Sequence, residues 1–225
     1  MIPVSNNIIG NYYLIHNYGK RAYLNTIIDS KSYKINPKHV LDRHSQVLRN
    51  FNIDIKKSPY YFSKTAKQIF INKDVKKRNI ITLFPDARTK DRSINGKQIN
   101  ELIEGLPYSQ KIVIISDRNF NINNKYRKIK LILLPRLSKS IEHALSSKLV
   151  LCADSFMGQM SSLLGINTFV IYNNPKFEKY CEYWGPPFNN VIHYENGNMF
   201  KMGDNYKVAS QIKCDLNCID LNSLF

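Results

Sequence analysis

The feature that most constrains this chain is an alternation of short apolar runs with helical segments, which begins near residue 79. The runs are rich in aliphatic and β-branched side chains, which predicts buried strands. The predicted strands are 79–84, 111–116, 130–134, 149–153 and 168–172, and the predicted helices are 97–106, 140–146 and about 155–164. Such an alternation is typical of a parallel sheet with helices on both faces. We therefore predict a Rossmann-like α/β lobe over about residues 80–195.

The first 78 residues lack this alternation. Apolar positions at helical spacing predict one helix over about 37–51. A basic stretch follows from residue 54, and its polar, turn-like residues 73–78 predict a linker. We therefore divide the chain into a short N-terminal segment, 1–78, and the Rossmann-like lobe with a C-terminal tail, 79–225. The N-terminal segment is too short for a second complete lobe of the same kind.

The chain is strongly basic, with 33 Lys and Arg against 17 Asp and Glu and a formal net charge of +16. A basic excess indicates a polyanionic partner such as nucleic acid, an anionic membrane surface or a phosphorylated substrate. An AT-rich genome, which favours Lys, Asn, Ile and Tyr, explains the same composition without such a partner. We expect no nucleic-acid partner, because the chain contains no RNP, KH or helix-turn-helix pattern.

The cysteines and the apolar runs exclude several classes of protein. Four scattered cysteines predict neither a disulfide scaffold nor a zinc site, since no Cys or His pair has the spacing of metal ligands. The start of the chain lacks the pattern of a signal peptide, and no apolar run reaches the roughly 18 residues of a spanning helix. We therefore expect a cytoplasmic protein that associates, at most, with the inner face of the cytoplasmic membrane.

Ligands of such sheets bind at the carboxyl ends of the strands, so the segments that follow the predicted strands form the candidate site. These segments are 85–94, 116–118, 135–138, 154–158 and 173–175. Asp154 and Ser155 follow the fourth strand at the start of a helix, where a phosphate can meet backbone N–H groups and the helix dipole. The same two residues also suit an ordinary helix N-cap, and the sequence leaves both interpretations open.

Three cations, Arg88, Lys90 and Arg92, lie between the first predicted strand and the first predicted helix of the lobe. Cations at this position suit a phosphate, although a solvated basic loop has the same composition. The one tryptophan of the chain begins the turn Trp184-Gly-Pro-Pro187. This rigid turn follows the fifth strand and suits either a loop near the site or a plain surface turn with a packed Trp.

Together and in this order, these segments resemble the heptosyltransferase family, the bacterial GT-B glycosyltransferases that transfer heptose from ADP-heptose to the lipopolysaccharide core. The matched segments are 92–95 for the family's Lys-x-Trp-Pro, 137–145 for its Leu-rich helix, 153–168 for its central Asp-Ser motif and 184–186 for its Trp-Gly-Pro loop. The resemblance covers about residues 80–195, mainly the family's donor-binding lobe. Residues 37–53 are also similar to the helix that closes the family's first lobe.

The resemblance implies roles for individual residues. Arg92 would hold the donor pyrophosphate, Asp154 the donor sugar, and Ser155 with the following backbone N–H groups a phosphate. Asp117, near the end of the second strand, would meet the ribose. The implied donor-binding residues are Arg88, Thr89, Lys90, Arg92, Asp117, Asp154, Ser155, Phe156 and Gln159.

Two residues depart from the family's pattern. Phe156 stands where the family has Gly after Asp-Ser, and Gln159 stands where it has His. A Gly after Asp-Ser lets the backbone approach a phosphate closely, and glutamine cannot act as a cation. The resemblance therefore implies a nucleoside-diphosphate sugar as donor without specifying its sugar or its base.

We expect a glycosyltransferase that transfers a sugar from such a donor to a lipopolysaccharide or another glycan or glycolipid. Cations would stabilise the leaving diphosphate, so we expect no metal and no cofactor. A GT-B enzyme has two lobes; here the first is reduced or supplied by a second chain, or the protein is a remnant. The alternative is a non-catalytic nucleotide-sugar-binding module. No catalytic base can be assigned from the sequence.

Overall fold

The computed structural model describes residues 39, 76, 78–122, 128–175, 180–202, 208–221 and 223. The chain forms two compact units, Met1–Lys57 and Ser58–Phe225, and every element described below lies in the second unit. The predicted helix over 37–51 and the predicted linker lie almost wholly outside the described residues. The division of the chain at residue 78 therefore stays a prediction.

The described part of the second unit contains eight strands, four α-helices and one 3-10 helix. The strands are β1 (Ile80–Phe84), β2 (Lys111–Ser116), β3 (Ile129–Leu133), β4 (Leu149–Ala153), β5 (Thr168–Tyr172), β6 (Val191–Glu195), β7 (Asn198–Met202) and β8 (Val208–Lys213). The helices are α1 (Gly96–Glu104), α2 (Leu137–Ser146), α3 (Phe156–Leu163) and α4 (Cys181–Trp184), and the 3-10 helix is Leu216–Cys218. All predicted strands and helices of the lobe are present, with small shifts at their ends. No helix among the described residues is both long and apolar enough to cross a membrane.

The eight strands form one sheet in the order β3-β2-β1-β4-β5-β6-β7-β8. The first six strands pair in parallel, and β7 and β8 pair antiparallel at one edge. The order 3-2-1-4-5-6 of the parallel part is that of the Rossmann fold. The predicted Rossmann-like sheet is confirmed, and the two antiparallel strands make it a mixed sheet rather than a purely parallel one.

Alternate side chains of the central strands enter two apolar cores, one on each face of the sheet. In β1, Ile81 and Leu83 belong to the first core and Phe84 to the second. The helices contribute Ile99, Leu102 and Ile103 from α1 to the first core, and Ile141 and Ala144 from α2 and Met157 and Met160 from α3 to the second. Burial on both faces explains why the strands are continuously apolar. The predicted arrangement of helices on both faces is confirmed.

Three of the strands lie beyond residue 190, where the sequence pattern predicts none: β6 lies at the end of the predicted lobe, and β7 and β8 lie in the predicted C-terminal tail. β6 and β7 form a hairpin in which Glu195 pairs with Asn198 across a two-residue turn. Asn196 and Gly197 form this turn with φ angles of 51° and 74°. Two positive φ angles are typical of a type I′ turn, for which Asn-Gly is the preferred dipeptide. The signal for this hairpin is therefore visible in the sequence.

Buried polar groups hold α4 against the sheet. The Glu195 carboxylate accepts hydrogen bonds from the backbone N–H groups of Tyr180 at 2.9 Å and Cys181 at 3.0 Å, at the start of α4. Gly185 follows α4, and a Cβ atom there would lie 2.7 Å from the Cys181 carbonyl oxygen and 2.7 Å from Oη of Tyr172. The turn that follows the single tryptophan is therefore packed closely on the sheet.

Gly185→Ala should lower the free energy of unfolding by about 1–3 kcal/mol, because overpacking a closely packed site forces its neighbours apart. Urea denaturation followed by circular dichroism measures the change. Gly96→Ala is the matched control, since the nearest atom to its added Cβ would be Cδ1 of Phe120 at 3.9 Å. Equal stability of the two variants would contradict the close packing at Gly185.

Candidate functional site

The candidate site lies where the strand order reverses, between β1 and β4. The chain continues from β1 to β2 on one side of this point and from β4 to β5 on the other, which opens a crevice at the carboxyl ends of the strands. Residues 85–95, the β1–α1 loop, follow β1 at this crevice, and Asp154 follows β4. These are the two segments in which the sequence places most of the predicted donor-binding residues.

An ion pair joins the two segments across the crevice. Nη2 of Arg92 lies 2.5 Å from Oδ2 of Asp154 and 2.9 Å from the backbone oxygen of the same residue. The side chain of Asp154 is 13% exposed and that of Arg92 is 31% exposed. The structure therefore brings into direct contact two residues that the sequence assigned to the site from separate segments.

Burial and pairing together set the charges of these two groups. Burial raises the pKa of Asp154, and the charge and hydrogen bond of Arg92 offset only part of that rise. Burial alone would lower the pKa of Arg92, but the attraction of Asp154 outweighs it and the net shift is upward. Arg92 is therefore a cation that donates through Nη2, while its Nε and Nη1 have no partner within the described part of the chain.

The N-terminus of α3 carries a buried hydroxyl group. Ser155 occupies the N-cap position, but its side chain makes no capping hydrogen bond. Its Oγ is buried and has no hydrogen-bond partner among the described residues. The ordinary N-cap that the sequence left open is thus not formed. Since the first N–H groups of a helix have no acceptor inside the helix, this hydroxyl stands beside backbone donors at the positive end of the helix dipole.

The β1–α1 loop is held by hydrogen bonds of its own. The backbone N–H of Ile94 donates to the carbonyl oxygen of Pro85 at 2.8 Å, and the hydroxyl of Ser93 donates to the carbonyl oxygen of Thr89 at 3.0 Å. The exposed residues at the outer end of the loop include Arg88, Thr89 and Lys90. The loop is therefore an ordered turn in which Arg92 pairs with Asp154, the residue after β4, while Arg88 and Lys90 are exposed to solvent.

A second polar cluster, which the sequence analysis did not identify, joins the ends of β1 and β2. Asp86 accepts hydrogen bonds from the hydroxyl of Ser116 at 2.6 Å, the N–H of Asp117 at 2.8 Å and Nε of Arg118 at 2.7 Å. Burial alone would raise the pKa of Asp86, but these hydrogen bonds outweigh it and lower the pKa. In the sequence, Asp86 follows the first predicted strand after a single proline, and this position was the available signal that it belongs to the edge of the sheet.

Asp117 lies at the carboxyl end of β2, beside this cluster. Its side chain is 62% exposed, and its interaction with the carboxylate of Asp86 raises its pKa. The cluster fixes the backbone of Asp117 and leaves its carboxylate accessible from solvent. Its predicted contact with a ribose stays a prediction.

Phe156 and Gln159 lie on α3 next to the ion pair. Phe156, the first residue of the helix, is 53% exposed. Nε2 of Gln159 donates to the carbonyl oxygen of Trp184 at 2.8 Å and so joins α3 to the turn after α4. Contacts of these two side chains with a donor stay predictions. Within the described ranges, no three His, Cys, Asp or Glu side chains are grouped as metal ligands would be.

Comparison with known proteins identifies the fold. No protein-family model and no curated protein matches the sequence. Among solved structures, the chain is similar to E. coli heptosyltransferase WaaC with ADP, with a TM-score of 0.55 and 10% sequence identity over 76% of this chain. It is also similar to E. coli heptosyltransferase WaaC with ADP-2-deoxy-2-fluoro heptose, with a TM-score of 0.54 and 11% identity over 76% of this chain.

In both comparisons the chain spans 54% of the length of the solved protein. At identities this low, the likeness shows the fold alone. The predicted heptosyltransferase-like glycosyltransferase fold is confirmed, and the described part of the chain corresponds to a Rossmann-like lobe of the GT-B kind.

Arg92→Ala should destabilise the fold more at about pH 7 than at about pH 4.5. The pKa of Asp154 in the folded protein lies above its ordinary value, so ionisation of this carboxyl lowers stability as the pH rises through that pKa. Without Arg92 the pKa rises further and the ionised carboxylate loses its partner. Protonation at low pH removes most of this cost.

Urea denaturation of the wild-type protein and of Arg92→Ala at the two pH values measures the loss of stability at each pH. Asp154→Asn in the Arg92→Ala background is the control, because an uncharged amide should make the remaining loss of stability nearly independent of pH. A loss of stability in Arg92→Ala that is the same at both pH values would show that the charge of Asp154 does not depend on Arg92.

Proposed function

We propose that this lobe binds a nucleoside-diphosphate sugar and is the donor-binding part of a glycosyltransferase. The observation that carries the proposal is the pairing of Arg92 with Asp154 beside the unpartnered hydroxyl of Ser155, at the strand reversal of a Rossmann-like sheet. Cations, a hydroxyl and a helix N-terminus at this point of such a sheet form a site suited to phosphate. The similar E. coli protein WaaC was solved with ADP and with an ADP-heptose analogue.

The diphosphate would lie between the β1–α1 loop and α3. Nε and Nη1 of Arg92 would supply N–H donors, and the first N–H groups of α3, beside the buried hydroxyl of Ser155, would supply others from the side of β4. Arg88 and Lys90, exposed at the outer end of the loop, add positive charge that attracts a diphosphate. Charge-assisted hydrogen bonds of this kind would stabilise the diphosphate as it leaves the donor sugar.

The nucleoside would extend from this point along the sheet edge towards β2 and β3. The accessible carboxylate of Asp117 follows β2 and suits ribose hydroxyls. Leu133, Leu134 and Leu137, which are 51%, 74% and 53% exposed, lie at the end of β3 and the start of α2 and suit the face of a base. Along the strand order β3-β2-β1-β4, the apolar side chains would therefore contact the base, the carboxylate would contact the ribose and the cations would contact the diphosphate.

The donor sugar would lie near Asp154 and Phe156. Oδ2 of Asp154 is paired with Arg92, while its Oδ1 has no partner among the described residues and suits a sugar hydroxyl. The exposed ring of Phe156, at the start of α3, would contact the apolar face of the sugar. Gln159 holds the turn after α4 and would bound the same space.

The reaction would displace the nucleoside diphosphate at the anomeric carbon, with a hydroxyl of a lipopolysaccharide or another glycan or glycolipid as acceptor. The donor is a substrate and no cofactor is required. The basic residues of 54–78 would suit an anionic lipid surface, so we propose a cytoplasmic protein at the inner face of the membrane. The base that deprotonates the acceptor would come from a second lobe, in this chain or in another.

Arg92→Ala should weaken ADP binding by about 10- to 100-fold, as expected for hydrogen bonds from a charged group to a phosphate. Isothermal titration calorimetry with ADP measures the affinity. Lys111→Ala is the control, because it removes one exposed positive charge at the amino end of β2, away from the crevice. Unchanged ADP affinity in Arg92→Ala, or an equal loss in both variants, would rule out a diphosphate site at Arg92.

Phe156→Ala should weaken binding of an ADP-sugar by about tenfold while leaving ADP affinity nearly unchanged, because only the sugar would lose contact with the ring. A thermal-shift screen over nucleotide sugars selects the donor, and calorimetry then compares that donor with ADP. Ile212→Ala, at a 58% exposed apolar residue on β8, serves as the control. A loss that is the same for ADP and for the ADP-sugar would remove Phe156 from the sugar site.

A further inference from the structure

The side chain of Asn173, which follows β5, joins the end of that strand to the β1–α1 loop. Its Nδ2 donates to the backbone oxygen of Ser93 at 2.8 Å and to Oε1 of Gln98 at 2.8 Å. In return, Nε2 of Gln98 donates to Oδ1 of Asn173 at 2.8 Å. Both hydrogens of the Asn173 amide are therefore used, and its oxygen has an acceptor role as well.

Gln98 is itself fixed by the start of α1. The backbone N–H of Gln98 donates to Oδ1 of Asn95 at 3.0 Å, and the backbone N–H of Asn95 donates to Oε1 of Gln98 at 3.1 Å. This reciprocal pair is a capping box, which holds the first turn of a helix in place. Asn173 therefore binds to a rigid point of α1 and to the loop at the same time.

The Ser93 carbonyl group that Asn173 holds belongs to the residue directly after Arg92. On the other side of Arg92, Nδ2 of the neighbouring Asn174 lies 3.1 Å from Oδ2 of Asp91. The residues that follow β5 thus contact the loop on both sides of Arg92. The loop is fixed at its backbone from β5, and the Arg92 guanidinium is fixed at its tip by Asp154.

Such anchoring matters because an arginine side chain has many rotatable bonds and loses conformational entropy when it binds a ligand. Holding its backbone and its tip before the ligand arrives reduces that cost and aims the remaining N–H donors at one place. The amide of Asn173 does not need to touch the ligand for this effect. Its contribution passes through Ser93 to Arg92.

We propose that Asn173 is a positioning residue for Arg92, which it holds in the orientation that binds the diphosphate of a nucleotide donor. This inference rests on the proposed function. It assigns a role to Asn173, which follows β5, although none of the predicted donor-binding residues lies on or directly after that strand. It also explains why two polar side chains, Asn173 and Gln98, form a reciprocal amide pair between elements that are distant in the sequence.

A double-mutant cycle on ADP affinity tests the proposal. Asn173→Ala should weaken ADP binding by about three- to tenfold in the wild-type background, as expected from the loss of an ordinary hydrogen bond. In the Arg92→Ala background the same substitution should have almost no further effect, because the group that it positions is gone. Calorimetry well below the unfolding temperature measures all four proteins, so a mere loss of stability does not change the affinities.

Gln110→Ala is the matched control. Like Asn173, Gln110 donates through its side-chain amide to two oxygens, here the backbone oxygens of Asn79 at 3.0 Å and Lys111 at 3.2 Å, but it is buried at the amino end of the strands. This variant should lose stability and keep its ADP affinity. If Asn173→Ala does not fold, Asn173→Leu replaces it, because leucine has about the size of asparagine, adds no charge and cannot donate to Ser93.

The outcomes separate the two proposals. Wild-type ADP affinity in Arg92→Ala would overturn the proposed function itself. A loss in Arg92→Ala without any loss in the Asn173 variant would overturn only the positioning role. Equal losses from the Asn173 substitution in both backgrounds would also overturn it, because the effect would not pass through Arg92. A loss confined to the wild-type background supports it.

Discussion

The ion pair between Arg92 and Asp154 is the interaction on which the candidate site depends. It joins the loop after β1 to the end of β4 at the one place where the strand order of the parallel sheet reverses. A crevice opens at such a point because the chain continues to opposite sides of the sheet from the two strands. The ion pair places a cation and a partly buried carboxylate at this crevice, next to the N-terminus of α3.

Other polar groups connect the loops at the same edge of the sheet. Asp86 joins the ends of β1 and β2, and Asn173 joins the end of β5 to the same β1–α1 loop. Glu195 holds the start of α4, and Gln159 joins α3 to the turn that follows it. Each of these side chains connects elements that are distant in the sequence, so the carboxyl edge of the sheet is a set of mutually fixed loops.

The candidate site lies within a single Rossmann-like lobe. The chain spans 54% of the length of the E. coli heptosyltransferase structures that it resembles. The groups that the proposed donor site would use are a cation, a helix N-terminus with an unpartnered hydroxyl, an accessible carboxylate and exposed apolar side chains. Phe156, at the start of α3, is 53% exposed, and its contact with the donor sugar is part of the proposal.

The Rossmann-like core could be predicted from the sequence, since strands buried on both faces must be apolar along their whole length and that pattern is local. It also placed Arg92, Asp154 and Ser155 in the site, because each follows a predicted strand. It missed β6 to β8, where polar His193 and Glu195 interrupt the apolar run. Which polar groups pair could not be predicted in this way. Arg92 contacts Asp154, the Ser155 hydroxyl does not cap its helix, and Asn173 binds the loop after β1. These contacts depend on the strand order, which no local sequence pattern encodes.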